Sequence, residues 1–165
     1  MRLLELHCET ASYKPRSKAL KTVADLAPEE KIERKYSNVL VVFTTVEKND
    51  SKQTVEQAAA AVEKNFREVK ADNLLVYPYA HLSNDLAPVE QAVELLDYFH
   101  QQVKKFCKTA EKSPFGYYKQ FSVNVLGHPL SELSKTIGAD FGKDGKLNAV
   151  NGKAIGGQAV VEETQ

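Results

Sequence analysis

The sequence is short of cysteine and has no excess of either charge. Cys8 and Cys107 are far apart and form no CxxC pair, which gives no sign of a zinc site and suits a reducing cytoplasm. The 22 basic side chains balance 22 acidic ones, so no overall field attracts nucleic acid or anionic lipid. Any contact with nucleic acid must therefore be local, and we predict neither a metal nor a cofactor.

Long apolar runs and familiar catalytic motifs are also missing. No stretch approaches transmembrane length, and the opening MRLLELHCE reaches Glu5 and His7 before the apolar core of a signal peptide can form. We therefore expect a cytoplasmic protein. No GxGxxG, P-loop, HExxH or GxSxG motif occurs, so the sites that those motifs build are not indicated.

Glycine is scarce until residue 138, and six of the eight glycines lie between 138 and 157. We expect residues 139–165 to form a Gly-rich linker or tail, or at most a weak hairpin. A single folded domain is predicted over residues 1–138.

The hydrophobic pattern over this domain alternates between strand and helix periods. It predicts strands at 3–8, 39–46, 73–81 and 114–125, and long helices at about 52–71 and 88–108. A short helix is expected over 128–137, and residues 9–37 are expected to be a loop, with or without one short helix near 28–35. This order indicates an α/β fold, a layered sheet with two long helices.

Individual positions refine the two long helices. Thr54 and Gln57 have the spacing of a capping box, and Pro88 suits the first position of the second helix. The predicted core stripes are Val55, Ala58, Ala59, Val62, Phe66 and Val69 on the first helix, and Val89, Ala92, Val93, Leu96, Phe99, Val103 and Phe106 on the second.

Lys119 is the most informative polar residue, because it shares a strand face with Phe121 and Val123. One interpretation is that it snorkels to water, or that the strand bulges there. The other is a pocket lysine whose pKa falls by desolvation and rises beside a carboxylate, and which holds a water or stabilises a developing negative charge. Glu132, across the Gly-His-Pro turn, could supply that carboxylate, or it could be a solvated glutamate.

The remaining candidates are weaker on position alone. His81 follows Pro78 at a strand end, where structural hydrogen bonding is the commoner role. His100 lies on a helix stripe and is expected in the core, and His128 is expected to serve its turn. Tyr117 and Tyr118 point to opposite faces. Two basic clusters, Lys14, Arg16, Lys18 and Lys21 and then Lys104, Lys105, Lys108 and Lys112, could contact phosphates or be solubilising charge.

Three motifs in order, VYPYAHLS, SPFGYYKQF and GHPLSELSKTI, resemble the N-terminal editing domain of archaeal threonyl-tRNA synthetase. The resemblance covers about residues 1–138 and departs from the family at His7, Cys8 and Glu9. It implies a D-aminoacyl-tRNA deacylase-like fold that is usually dimeric. By motif it assigns catalytic roles to Lys119, Tyr118, Glu132 and His81. Substrate-binding positions implied by the same motifs and by the end of the second strand are Ala80, Tyr79, Val46, Glu47, Phe115 and Tyr117.

The implied function is proofreading: hydrolysis of serine wrongly esterified to threonine tRNA, with threonine spared. Implied partners are the 3′ end of that tRNA, a second copy of the chain and the catalytic part of the synthetase. An editing site is needed because a synthetic site cannot exclude a substrate that lacks one methyl by more than ~1–3 kcal/mol. Two alternatives remain: a D-aminoacyl-tRNA deacylase, and a non-catalytic domain that binds tRNA or mediates dimerisation of a larger synthetase.

Overall fold

A computed structural model describes residues 1–138 and has six strands in one mixed sheet, with two helices. Neighbouring strands follow the order β4-β3-β2-β1-β5, and β6 also pairs with β1. The elements are β1 (Arg2–Lys18), a 3-10 turn (Pro28–Glu30), β2 (Arg34–Thr45), α1 (Lys52–Glu68), β3 (Asn73–Pro78), α2 (Val89–Val103), β4 (Glu111–Lys112), β5 (Tyr117–Val125) and β6 (Glu132–Thr136). The predicted α/β sheet with two long helices is confirmed, and the predicted tail lies outside the described residues.

The first strand is much longer than predicted. β1 runs to Lys18 and pairs antiparallel with β2 on one side, and with β6 and then β5 on the other. The prediction of a loop over residues 9–37 is therefore wrong for both ends of that range. Ala11, Tyr13 and Pro15 are buried and the residues between them are more exposed, a period of two that the charges and the proline disguise. Pro15 is tolerated because the β1–β5 register shifts directly after it.

Both helices cover one face of the sheet, where apolar side chains of α1 and α2 meet those of β1, β2 and β3. α1 begins after Ser51, whose side chain accepts from the backbone N–H of Thr54, so the capping box lies three residues before its predicted place. The predicted α1 stripe is buried up to Phe66. On α2, Val89 and Val93 are exposed and Leu95 is buried, so the predicted stripe is wrong at those positions.

The predicted short helix over 128–137 is wrong, because this segment is a turn followed by β6. Leu130 and Ile137 satisfy a helical spacing, but Glu132–Thr136 pairs antiparallel with Arg2–Leu6 of β1. The pairing gives β1 a second partner and places the Lys135 ammonium 2.7 Å from the carboxylate of the fully buried Glu5. The strand conformation therefore gives this segment backbone hydrogen bonds to β1 and gives the buried Glu5 carboxylate a cationic partner.

The other face of the sheet carries an aromatic cluster that neither α1 nor α2 covers. Tyr13, Phe43, Tyr77 and Phe121 make ring contacts there at centroid distances between 4.9 and 6.2 Å. Both cysteines are free and buried. None of the helices in residues 1–138 is long and apolar enough to span a membrane.

Candidate functional site

A pocket of about 470 Å³ opens where the parallel strands β2 and β3 reach their carboxyl ends. Its walls come from the end of β2, the segment after β3, the start of α2, the residues after β1 and the first half of β5. The carboxyl edge of parallel strands is a common ligand position, and the volume lies within the range of small-molecule sites. Most of the pocket surface is apolar, with a few polar groups directed into it.

Lys119 lies in this pocket with little to compensate its charge. Its ammonium donates a long hydrogen bond of 3.4 Å to the Tyr117 carbonyl and lies 4.8 Å from the centre of the Tyr77 ring. Burial, followed by repulsion from Lys112, lowers the pKa of Lys119 to about 8. Within residues 1–138 no carboxylate contributes to that pKa. The side chain is thus a cation at neutral pH, but it loses its proton at a lower pH than an ordinary lysine does.

The FGYYK segment reaches the pocket through a glycine in a left-handed conformation. Gly116 has φ +81°, and its carbonyl accepts from the backbone N–H groups of Ala19 and Leu20. A Cβ at this position would lie 2.5 Å from a methyl group of Val23, so any other residue would displace that side chain and would also strain the backbone. The turn brings Phe115, Tyr117 and Tyr118 to the wall beside Lys119, and Tyr118 is 63% exposed at the mouth.

The segment after β3 supplies the opposite wall. Tyr79, Ala80 and His81 line the pocket, and the rings of Tyr79 and His81 meet edge to face at 4.9 Å. The Thr45 hydroxyl donates to the Tyr79 carbonyl, which ties this segment to the end of β2. His81 is exposed and therefore open to a ligand.

Val46 lines the pocket, whereas Glu47 supports it from outside. Glu47 accepts a 2.6 Å hydrogen bond from the Ser83 hydroxyl and a 3.0 Å one from the ammonium of Met1. Burial alone would raise the pKa of Glu47, but these hydrogen bonds outweigh it and the pKa is lowered. The ionised carboxylate thus connects the loop after β2 to the loop after β3.

Glu132 does not lie with Lys119 in the same chain. It pairs with Leu6 of β1 while Lys119 pairs with Pro15, and these positions are nine residues apart along β1, about 30 Å in an extended strand. The hypothesis that this glutamate tunes the lysine of its own chain is therefore not supported by the geometry.

The other candidates lie outside the pocket. His128 serves its turn and also contacts His7, with 2.7 Å between ring nitrogens. His100 is half-buried rather than part of the core, and one ring nitrogen lies 2.8 Å from the Ala110 carbonyl. Lys14, Arg16 and Lys18 project from the exposed side of β1. No cluster of three or more metal-ligating side chains is found between residues 1 and 138.

Sequence reasoning missed several pocket residues. Tyr77, Phe121 and Leu86 line the site, and so do Ala19 and Leu20 directly after β1. Tyr77 in β3 and Tyr79 directly after it are two residues apart, the spacing that puts side chains on one face of an extended chain, which was a usable signal. No pattern in the neighbouring sequence indicated that Ala19 and Leu20 would line the pocket, because their position depends on how far β1 extends.

The architecture matches a solved structure. The chain superposes on a structure of c-Myc DNA Unwinding Element Binding Protein with a TM-score of 0.65, at 13% identity, over 84% of this chain and 100% of that one. At this identity the match shows the fold alone. The fold is D-aminoacyl-tRNA deacylase-like, as the sequence motifs predicted.

Sequence comparisons show the family. The model of the archaea-specific editing domain of threonyl-tRNA synthetase matches residues 1–137, and the chain belongs to this family. Threonine–tRNA ligase of Staphylothermus marinus is 44% identical over 138 residues, and that of Pyrococcus furiosus is 42% identical over 140. Each match covers 83% of this chain but 22% of the relative, so the chain spans about a fifth of the length of these ligases.

Proposed function

We propose that the chain hydrolyses serine wrongly esterified to threonine tRNA and spares threonine. The observation that carries the proposal is the position of Lys119, a cation with no carboxylate partner among residues 1–138, inside a mostly apolar pocket of a domain from an editing family. A pocket of about 470 Å³ has room for an aminoacyl group and part of the terminal adenosine. Tyr118 at the mouth and His81 on the opposite wall would contact the ester from two sides.

The reaction needs a placed water and a donor for the oxyanion, but no nucleophilic side chain. Water oxygen attacks the ester carbonyl carbon, and the carbonyl oxygen gains the negative charge that the Lys119 ammonium stabilises. Collapse breaks the bond to the ribose oxygen, which takes the proton that the attacking water gives up, as the tRNA leaves. The products are serine and free tRNA. Positioning of the water can supply much of the acceleration because the ester is already activated.

Selection against threonine would come from the fit around the attacking water. A bound threonine carries one more methyl, and in a well-packed pocket that methyl would displace the water or shift the Lys119 ammonium. Discrimination on the transition state, rather than on binding alone, is what spares the correct product.

We also propose that the active form is a homodimer. Glu132 is about 30 Å along β1 from the Lys119 of its own chain. If Glu132 acts in the reaction, as the motif resemblance implies, it must reach the pocket of a second copy. The exposed Leu126 and Leu130 beside the Gly-His-Pro turn, and the exposed Phe121 and Tyr118 at the pocket, give both surfaces an apolar component suited to contact.

The deciding experiment offers the purified chain three substrates: Ser-tRNA(Thr), Thr-tRNA(Thr) and a D-aminoacyl-tRNA. We expect rapid release of serine. Threonine and the D-amino acid should be released no faster than they are in the absence of protein. Release of the D-amino acid with serine retained would replace the proposal with D-aminoacyl-tRNA deacylation. Binding of Ser-tRNA(Thr) without release of serine would leave a non-catalytic tRNA-binding domain.

A further inference from the structure

The Lys119 ammonium lies over the ring of Tyr77. The ammonium lies 4.8 Å from the centroid of Tyr77, inside the distance at which a ring face attracts a cation. Its one hydrogen bond within residues 1–138, to the Tyr117 carbonyl, is long at 3.4 Å. Lys112, the nearby cation, repels it and is itself paired with Asp97 at 3.3 Å.

The ring of Tyr77 is fixed in place by its own neighbours. It is only 5% exposed, and Phe43, Phe121 and Tyr13 contact it at centroid distances of 4.9, 5.4 and 6.2 Å. Its face is therefore held towards Lys119 without depending on a mobile loop. A ring face attracts the ammonium far more than the neutral amine, because the attraction is to positive charge.

We propose that Tyr77 is a positioning residue that keeps the Lys119 ammonium charged and directed into the pocket through a cation–π contact. The proposal deepens the proposed function, in which the charged form of Lys119 stabilises the oxyanion. Desolvation and Lys112 favour the neutral amine, and the ring opposes both. Other titratable groups around the site are Tyr79 and His81 after β3, Tyr117 and Tyr118 on β5, and Tyr13 on β1.

The test changes the charge distribution of the ring at nearly constant shape. Position 77 is replaced by phenylalanine and then by phenylalanines with one, two and three ring fluorines, which progressively remove the negative potential of the face. The pKa of Lys119 is followed by NMR titration of the isotope-labelled lysine ammonium, assigned by its loss in Lys119→Met. Phenylalanine should leave the pKa near its original value. The trifluoro ring should lower it by about half a unit to one and a half units.

Phe43 offers a matched control, because its ring packs against Tyr77 and takes no part in the cation–π contact. The same fluorines at position 43 should leave the pKa of Lys119 unchanged. In deacylation of Ser-tRNA(Thr), the alkaline limb of the rate profile should move down by the same amount as the pKa in the position-77 series, and not in the control series.

The outcomes separate the inference from the function on which it rests. A Lys119 pKa that is independent of fluorination at position 77, in folded protein, overturns the inference even if serine is released. An equal shift from fluorines at position 43 also overturns it, because the effect would then be general to the aromatic cluster. A pKa that follows fluorination at position 77 alone, without any deacylation, supports the contact and removes the proposed function.

Discussion

The pKa of Lys119 depends on neighbours from three different parts of the fold. Its alternation on β5 predicted the inward face, and the structure places it in the pocket. The lowered pKa, however, depends on burial by residues after β1 and β3 and on repulsion from Lys112 on β4. Those contacts are long-range, so sequence reasoning could identify the lysine but not its ring partner. Its role in the reaction stays a prediction.

Replacing Lys119 with Met should keep the fold and remove most of the activity. Met preserves the aliphatic volume without burying a charge. Loss of one group that stabilises an oxyanion typically slows the reaction by about 10²–10³, so we expect a fall of that size in single-turnover release of serine from Ser-tRNA(Thr). Lys14→Met, an exposed lysine on β1, is the control and should leave the rate unchanged. Full activity in a well-folded Lys119→Met protein would mean that the lysine only snorkels.

At the scale of elements, the turn before β5 and the turn before β6 each contain a glycine with positive φ, but only the first of these glycines is also closely packed. Gly116 and Gly127 have nearly the same φ, +81° and +79°. A Cβ on Gly116 would collide with Val23, whereas a Cβ on Gly127 would meet nothing within 4 Å. The pair thus separates the cost of the left-handed backbone from the cost of close approach.

We expect Gly127→Ala to lower the free energy of unfolding by ~1–2 kcal/mol, the cost of a left-handed conformation for a residue with a Cβ. Gly116→Ala should cost that amount plus a further ~1–3 kcal/mol of overpacking against Val23. Urea denaturation of both variants beside the unsubstituted chain measures the difference. Equal losses would show that the loop around Val23 moves away freely, and that the close approach does not fix the pocket wall.

The turn before β6 is attached to β1 and β2 by two neutral imidazoles. Asn38 donates from its amide nitrogen to Asp72 and to the Lys70 carbonyl, so its oxygen faces the Nε2 of His7 at 2.7 Å and accepts from it. Neutral His7 then accepts at Nδ1 from the Nε2 of His128, 2.7 Å away. The Nδ1 of His128 accepts from the backbone N–H of Leu130. An added proton on the Nδ1 of His128 would place its N–H against the backbone N–H of Leu130.

This arrangement predicts that the attachment weakens in acid. Burial, followed by the proximity of His7, lowers the pKa of His128 below its ordinary value of 6.5. The unfolded chain therefore binds the proton more readily. The stability that His128 contributes is complete above the ordinary pKa and is lost as the pH falls through the folded-state value.

His128→Leu should be destabilised by ~1–3 kcal/mol at neutral pH, because the buried Nδ1 of His7 loses its donor. Urea denaturation of both proteins well above and well below pH 6.5 isolates the contribution of this residue. The unsubstituted chain should lose more stability on acidification than the variant does. Parallel losses in the two proteins would show that other groups titrate and that the imidazole pair does not.

The hydrophobic pattern correctly predicted those elements that can be recognised from their own residues alone. The continuous apolar run of β2 and the amphipathic stripe of α1 are such cases, and the structure confirms both. The pattern over residues 128–137 failed because Leu130 and Ile137 fit a helix period, and only the pairing with β1 decides for a strand. The second half of β1 failed for the same reason: its partners, β2 and β5, are distant in sequence.

At the scale of the whole molecule, two groups of exposed apolar side chains within residues 1–138 lie where a symmetric dimer could join them. Leu86, Tyr118 and Phe121 surround the pocket, and Leu126 and Leu130 flank the Gly-His-Pro turn. In a two-fold dimer each copy gives the same two surfaces, so the turn of one chain can meet the pocket of the other twice. Such an arrangement would also explain how Glu132 and Lys119 can serve one site while about 30 Å apart in one chain.

Mixing two inactive variants tests this arrangement directly. If Glu132 acts across the dimer, Lys119→Met and Glu132→Gln homodimers should both be slow in releasing serine from Ser-tRNA(Thr). After subunit exchange, a mixed dimer has one pocket with both substitutions and one with neither. Random exchange makes half of the dimers mixed, so activity should recover to about one quarter of that of the unsubstituted protein. Both residues acting within one chain would leave the mixture as slow as its components, because no chain in it then carries an intact site.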